Sequence, residues 1–289
     1  MKIVITDSGL GGLSVAAALY ERLILDRFGG VEIIFANALP ESGKGYNKMP
    51  DTATKVKVFD NALKGFHKHF QPDMISVACN TLSVLLEFSE FANKHSRIIS
   101  DVVSTGVHGF LESNQVANAD NIIIFGTETT IDSGIHAEQF SKVFQDRIYA
   151  IACSGLAGAI EKDFQSKETY DLINQAVNQI NVKSSMTKNY AYLACTHYGY
   201  VKDIFYKILI DKGIENVKMV DPNVNLVDDL YTQITSKNIS KNSFSSKISV
   251  VSRCRILDSE IQSISKLVQS VSQETAKTLQ NYEISENLF

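Results

Sequence analysis

The chain reads as an α/β protein of two pseudo-symmetric lobes, each a parallel sheet flanked by helices, with the active site in the cleft between them. Three observations predict this. Short β-branched runs alternate with stretches of helical period along most of the chain, the pattern of βαβ units on parallel sheets. A strand-like run ending in a cysteine, then small polar residues, then a helix-like segment, occurs once in each half: Val77-Ala78-Cys79-Asn80-Thr81 and Leu193-Ala194-Cys195-Thr196-His197. Finally, 289 residues with 44% apolar content suffice for one large or two medium cores.

In order, Lys2–Thr6 reads as strand, Leu13–Leu25 as helix, Val31–Asn37 as strand and Asp51–His69 as helix. Met74–Ala78 is strand, Leu82–His95 one helix, Ile98–Ser100 a short strand and Val107–Ser113 a short helix. Asn121–Gly126 and Arg147–Cys153 are strands around a helix at Ile131–Phe144, and helices follow at Leu156–Lys162 and Glu168–Val182. Tyr190–Ala194 is strand, Tyr200–Asp211 helix and Val217–Val220 strand. The Ser/Lys/Asn-rich stretch Thr235–Lys247 reads as a loop, followed by a strand at Ile248–Val251 and one amphipathic helix from Asp258 to about Tyr282. Boundaries near Asp101 and Gly213 assign 1–100 plus 213–289 to the first lobe and 101–212 to the second.

Net charge is −4 with pI about 5.9, and no lysine cluster with interleaved aromatics stands out, so nucleic acid is not an expected partner. No apolar stretch is long enough to span a bilayer, and Met1-Lys2 runs straight into a strand without a leader-like segment; a cytoplasmic location is expected. Cys79, Cys153, Cys195 and Cys254 lie far apart, with no Cys-x-x-Cys pair and no His at ligand spacing. Neither disulfides nor a metal site are expected.

The turn Asp7-Ser8-Gly9-Leu10-Gly11-Gly12-Leu13-Ser14 follows the first strand, where backbone amides can approach an anion. Gly9-x-Gly11-x-x-Ser14 nearly fits a dinucleotide loop. Asp7 would repel a pyrophosphate there, and the second strand ends in Asn37 rather than an acid.

A lone free cysteine is most often a small buried hydrophobe. Two at strand ends, each with cap-type residues after it, point instead to a pair facing one substrate from opposite sides. That geometry removes a proton from one face of a carbon and returns it to the other. Cys153, before Ser154-Gly155, and Cys254, between Arg253 and Arg255, have no such setting and read as structural.

Asp7-Ser8-Gly9-x-Gly11-Gly12-Leu13-Ser14-Val15, Ala78-Cys79-Asn80-Thr81 and Ala194-Cys195-Thr196-His197-Tyr198 resemble the glutamate racemases of the aspartate/glutamate racemase superfamily. Gly126-Thr127-x-x-Thr130-Ile131-x-Ser133, Ala152-Cys153 with Glu161 eight residues on, and Val220-Asp221 extend the likeness, in order, from Lys2 to about Leu230. The resemblance implies a two-base proton transfer without cofactor, Cys79 deprotonating the D-enantiomer and Cys195 the L-enantiomer. It implies assistance to Cys79 from Asp7 and to Cys195 from His197 and Glu161. It assigns substrate contacts to Ser8, Tyr46, Asn47, Asn80, Thr81, Thr127, Thr130 and Thr196, hydroxyls and amides that hold carboxylates without a lysine or arginine at the reacting carbon. A small acidic amino acid is the implied partner, D-glutamate for peptidoglycan the implied product, and a homodimer the implied assembly.

The family's Pro-Tyr-Gly segment is Gly45-Tyr46-Asn47 here, its following tyrosine corresponds to His136, and Ala-Cys-Pro is Ala152-Cys153-Ser154. Three alternatives therefore stand beside a glutamate racemase: an aspartate or broad-specificity racemase, a silent binding protein on the same scaffold, and a nucleotide-dependent oxidoreductase.

Overall fold

The computed structural model describes residues 1–117, 120–182, 187–237 and 246–289. Ten strands occur among them: β1 (Lys2–Asp7), β2 (Glu32–Asn37), β3 (Met74–Val77), β4 (Ile99–Asp101), β5 (Asn121–Gly126), β6 (Ile148–Ala152), β7 (Asn189–Ala194), β8 (Val217–Val220), β9 (Lys247–Ser252) and β10 (Glu283–Ile284). The helices are α1 (Leu13–Leu25), α2 (Thr52–Phe70), α3 (Asn80–Ser83), α4 (Glu90–Lys94), α5 (Val102–Ser113), α6 (Glu128–Asp132) and α7 (Ile135–Phe144). They continue with α8 (Leu156–Asp163), α9 (Lys167–Asn178), α10 (Lys202–Asp211), α11 (Pro222–Ser236), α12 (Asp258–Gln269) and α13 (Gln273–Gln280).

Every strand pairing is parallel, in two sheets ordered β10-β9-β2-β1-β3-β4 and β6-β5-β7-β8. The run β2-β1-β3-β4 repeats as β6-β5-β7-β8, so β1 corresponds to β5 and β3 to β7. Cys79 and Cys195 therefore follow equivalent strands. Both sheets are covered on both faces, as parallel sheets require. Ile3, Ile5, Ile33 and Phe35 pack on Leu13, Leu19, Leu226 and Leu230, while Val4, Ile34, Ile75 and Val77 pack on Phe59, Leu63 and Phe66 of α2. In the second lobe Ile123, Phe125 and Leu193 face Ile160, Ile173 and Phe205; Ile124 and Tyr192 face Phe110, Phe140 and Phe144.

The lobe boundary differs from the expected one. Val217–Val220 pairs with Asn189–Tyr192, completing the second sheet, so the chain returns to the first lobe through α11 rather than at Gly213. The register of β8 with β7 is a long-range choice that local pattern does not carry. Asp221 caps α11 by accepting from Asn223 N, with Pro222 at its first position, and α11 then packs beside α5 and α1. α5 starts at Val102 rather than Val107, because Asp101 accepts from the amides of Val103 and Ser104.

Three expected helices are each split, Ile131–Phe144 into the end of α6 and α7 at the left-handed Gly134. Leu82–His95 becomes α3, a 3₁₀ turn at Leu86–Phe88 and α4, because Ser89 restarts the helix by accepting from Ala92 N and donating to buried Asp60. Asp258–Tyr282 breaks into α12 and α13 where Ser272 accepts from Thr275 N. Most of the predicted loop Thr235–Lys247 lies outside the described residues; α11 runs through Ser236 and β9 begins at Lys247.

Candidate active site

The carboxyl ends of β1, β3, β5 and β7 converge on one cleft, where side chains from the two lobes interlock. Asp7, at the end of β1, is fully buried. Its Oδ1 accepts from Gly9 N at 3.0 Å; its Oδ2 accepts from Gly12 N at 2.8 Å and, across the cleft, from Thr196 Oγ1 at 2.7 Å. The glycine-rich turn thus folds around its own acid. A Cβ on Gly11 would lie 2.4 Å from Thr196 Oγ1 and 2.6 Å from His197 Nδ1; one on Gly9 would meet Glu161 Oε1. These glycines admit the close approach of the second lobe.

Cys79 is the N-cap residue of α3, with extended backbone (φ −84°, ψ 123°), so its sulfur leaves the strand end into the cleft. Ser8 Oγ lies 3.1 Å from Cys79 Sγ. Burial, then the negative charge of Asp7, pushes the Cys79 thiol well above its ordinary range, against a smaller lowering by the Ser8 hydrogen bond. Asp7 therefore acts on Cys79 through its field while its hydrogen bonds go elsewhere. Tyr46 packs in the same wall: buried, edge-on to Phe59, it donates its hydroxyl to Ala38 O at 3.1 Å. Burial and the neighbouring Cys79 raise its phenol. Asn47, beside it, is exposed.

On the other side Cys195 Sγ lies 3.7 Å from His197 Nδ1, and His197 Nε2 lies 2.7 Å from Glu161 Oε1. Leu10 N donates to the same Glu161 oxygen at 2.6 Å, tying α8 to the glycine turn. Burial alone would lower the His197 pKa; the Glu161 carboxylate and the Cys195 sulfur overcome it and hold the ring well above its ordinary value. Nothing local in the sequence aims Glu161 at His197; the fold of α8 turns it inward.

Three hydroxyls join the lobes elsewhere. Thr81 Oγ1 lies 2.8 Å from Thr127 Oγ1 and 3.5 Å from Thr130 Oγ1, and the latter two are 3.0 Å apart. Both amide atoms of buried Asn80 lack a protein partner, a donor and acceptor free for a carboxylate and an ammonium. Sequence reasoning missed Asn223, whose Nδ2 donates to Thr196 O at 3.1 Å, Tyr200, whose hydroxyl donates to Gly11 O at 3.4 Å, and Lys55, which reaches Thr129. The Asp-Pro-Asn start of α11 was a signal for the first; the other two had none.

Cys153 is buried near Tyr198, and burial, then Cys195, raises its thiol. Cys254 lies outside the cleft, against Leu39 O. Among the described residues no group of three or more His, Cys, Asp or Glu is placed to hold a metal, and no helix is long and apolar enough to cross a membrane.

No protein-family model matches the chain. Glutamate racemase 3 of Caldanaerobacter subterraneus subsp. tengcongensis is 27% identical over 241 residues, spanning 82% of this chain and 80% of that one. The Campylobacter jejuni glutamate racemase is 28% identical over 212 residues, spanning 73% and 79%. Among solved structures, glutamate racemase from Francisella tularensis in complex with D-glutamate superposes with a TM-score of 0.74 at 21% identity, over 94% of this chain and 95% of that one. That from Aquifex pyrophilus gives 0.68 at 22% identity over the whole of both chains. The chain is similar in sequence to glutamate racemases and has their fold.

Proposed function

We propose that this chain, a relative of the glutamate racemases, is an isomerase that interconverts L- and D-glutamate without a cofactor, by proton transfer between Cys79 and Cys195. The observation that carries the reading is the shared cradle of the two thiols. Ser8 touches the Cys79 sulfur, while Asp7 beside it binds the hydroxyl of Thr196, next to Cys195. Both thiols thus border one buried site.

An amino acid α-proton is far less acidic than a thiol, so the site must supply positioning and charge stabilisation. Cys79 as thiolate takes the α-proton of the D-enantiomer: the C–H bond breaks, an S–H bond forms, and the pair stays on the α-carbon as a planar carbanion. The Cys195 thiol returns its proton to the opposite face, leaving Cys195 as thiolate; the reverse path begins there. His197, held cationic by Glu161, places an N–H beside that sulfur. Thr81, Thr127, Thr130, Thr196, Asn80 and the Tyr46 segment supply the polar wall for two carboxylates and an ammonium. Only 5% and 6% of Cys79 and Cys195 are exposed, so a dry site forms when the lobes close. Supply of D-glutamate for peptidoglycan, in the cytoplasm and as a homodimer, completes the proposal.

The test is α-proton exchange in deuterated water with no added cofactor, run with glutamate, aspartate and neutral amino acids. Deuterium entering glutamate foremost is expected. Faster exchange of aspartate would move the reading to an aspartate racemase, and no exchange with any of them would overturn it.

A further inference from the structure

Helix α2 begins just after the Tyr46 turn, capped by Asp51, whose Oδ1 accepts from Thr54 N at 2.7 Å. The next residue, Lys55, reaches across to the second lobe, where Nζ donates to Thr129 Oγ1 at 2.8 Å. Thr129 lies between Thr127 and Thr130, the hydroxyls that meet Thr81. Among the described residues no other lysine or arginine donates a hydrogen bond to the Asp7–Gly12, Cys79–Thr81, Thr127–Thr130 or Cys195–His197 segments. The buried part of the site holds the carboxylates of Asp7 and Glu161 against the single cation of His197. A dicarboxylic amino acid entering there adds a net negative charge, which a cation at the rim of the cleft would offset.

Lys55 and Thr129 are half-exposed, whereas both thiols are buried, so the ammonium marks the outer end of the cleft. A substrate with its α-carbon between the sulfurs can direct its side chain toward that outer end. A threonine hydroxyl is a weak partner for an ammonium, and a carboxylate is a stronger one. The flexible four-carbon stem of lysine allows the exchange.

We propose that Lys55 is a specificity-determining residue, its ammonium leaving Thr129 to pair with the side-chain carboxylate of the bound amino acid. The site thereby prefers acidic over neutral amino acids. This rests on the racemase reading above.

The test compares wild type with Lys55→Met, Lys55→Arg and Thr129→Val for exchange of glutamate and glutamine. Lys55→Met is expected to raise KM for glutamate about tenfold to a hundredfold with kcat within about threefold, leaving glutamine unchanged. Lys55→Arg should restore most of the loss. Thr129→Val, which removes the hydroxyl but keeps the cation, should retain the preference for glutamate. An unchanged glutamate KM in Lys55→Met, or equal losses for both amino acids reproduced by Thr129→Val, would reduce Lys55 to a structural tie and overturn the proposal. If wild type exchanges no amino acid, the racemase reading fails separately, and calorimetric titration with D-glutamate decides this one. Weaker binding to Lys55→Met than to wild type supports it; equal binding, or none to either, overturns it.

Discussion

His197 Nε2 lies 2.7 Å from Glu161 Oε1, and the Leu10 amide donates to that same oxygen from the opposite lobe. One carboxylate oxygen therefore holds both the imidazole and the glycine turn in register. Removing the acid leaves burial as the dominant influence on a ring whose pKa Glu161 now helps to raise.

Glu161→Gln should accordingly lower the His197 pKa and move the alkaline limb of L-glutamate deprotonation to lower pH. The ring is then neutral at pH values where the wild type keeps it charged. The check is kcat/KM against pH for each enantiomer separately; superimposable L-profiles would reject the relay.

Cys79→Ser and Cys195→Ser should each cut racemisation by about two to four orders of magnitude, the scale of losing a positioned acid or base. Half-reactions should separate them. Cys79→Ser is expected to lose α-deuterium wash-out from D-glutamate while keeping residual wash-out from L-glutamate, and Cys195→Ser the reverse. Equal wash-out of both enantiomers in either variant would contradict the assignment of faces.

Gly11→Ala places a Cβ against Thr196 Oγ1 and His197 Nδ1, both on the facing lobe. Lobe closure, and with it exchange activity, should fall sharply, with a stability loss of about 1–3 kcal/mol. Gly158→Ala, at an exposed position of α8 with nothing within 4 Å of the new Cβ, is the control; it should stabilise by about 0.5–1 kcal/mol and leave kcat unaltered. Full activity in Gly11→Ala, measured beside that control, would deny the close approach.

Both ring nitrogens of His136 are buried without a protein partner, and burial lowers its pKa from 6.5 to about 4. The folded state keeps the ring neutral where the unfolded chain charges it. This contribution is fully present above pH 6.5 and is lost as pH falls through about 4, a change of roughly 3 kcal/mol. Asp221 runs oppositely: burial raises it to about 6, so its contribution is present below 3.8 and lost as pH rises through about 6. The readout is therefore the difference in urea midpoint between wild type and His136→Phe at pH 7 and pH 4.5. The variant should lose less stability on acidification; a difference constant with pH would discount the histidine.

The strands were legible because each is a short apolar run that neighbouring polar turns delimit, and nearly all appear within a residue or two of their expected limits. Helix splits were not, since Ser89 and Ser272 act as caps only once tertiary contacts fix the chain around them. That Ser8 touches the Cys79 sulfur is a tertiary contact that no local pattern showed. Lys55 carried no signal at all, because its meaning depends on a threonine 74 positions away.

Local chemistry along the chain was enough to determine the α/β class, the two cysteine-bearing strand ends and the residue types around them. Periodicity and capping act over a few residues and are written directly in the sequence. Tertiary structure alone decided that β8 completes the second sheet, that Glu161 turns inward to His197, and that Asp7 spends its hydrogen bonds on Thr196 while acting on Cys79 by charge. These depend on how two lobes close on each other, a long-range packing balance that no single segment encodes.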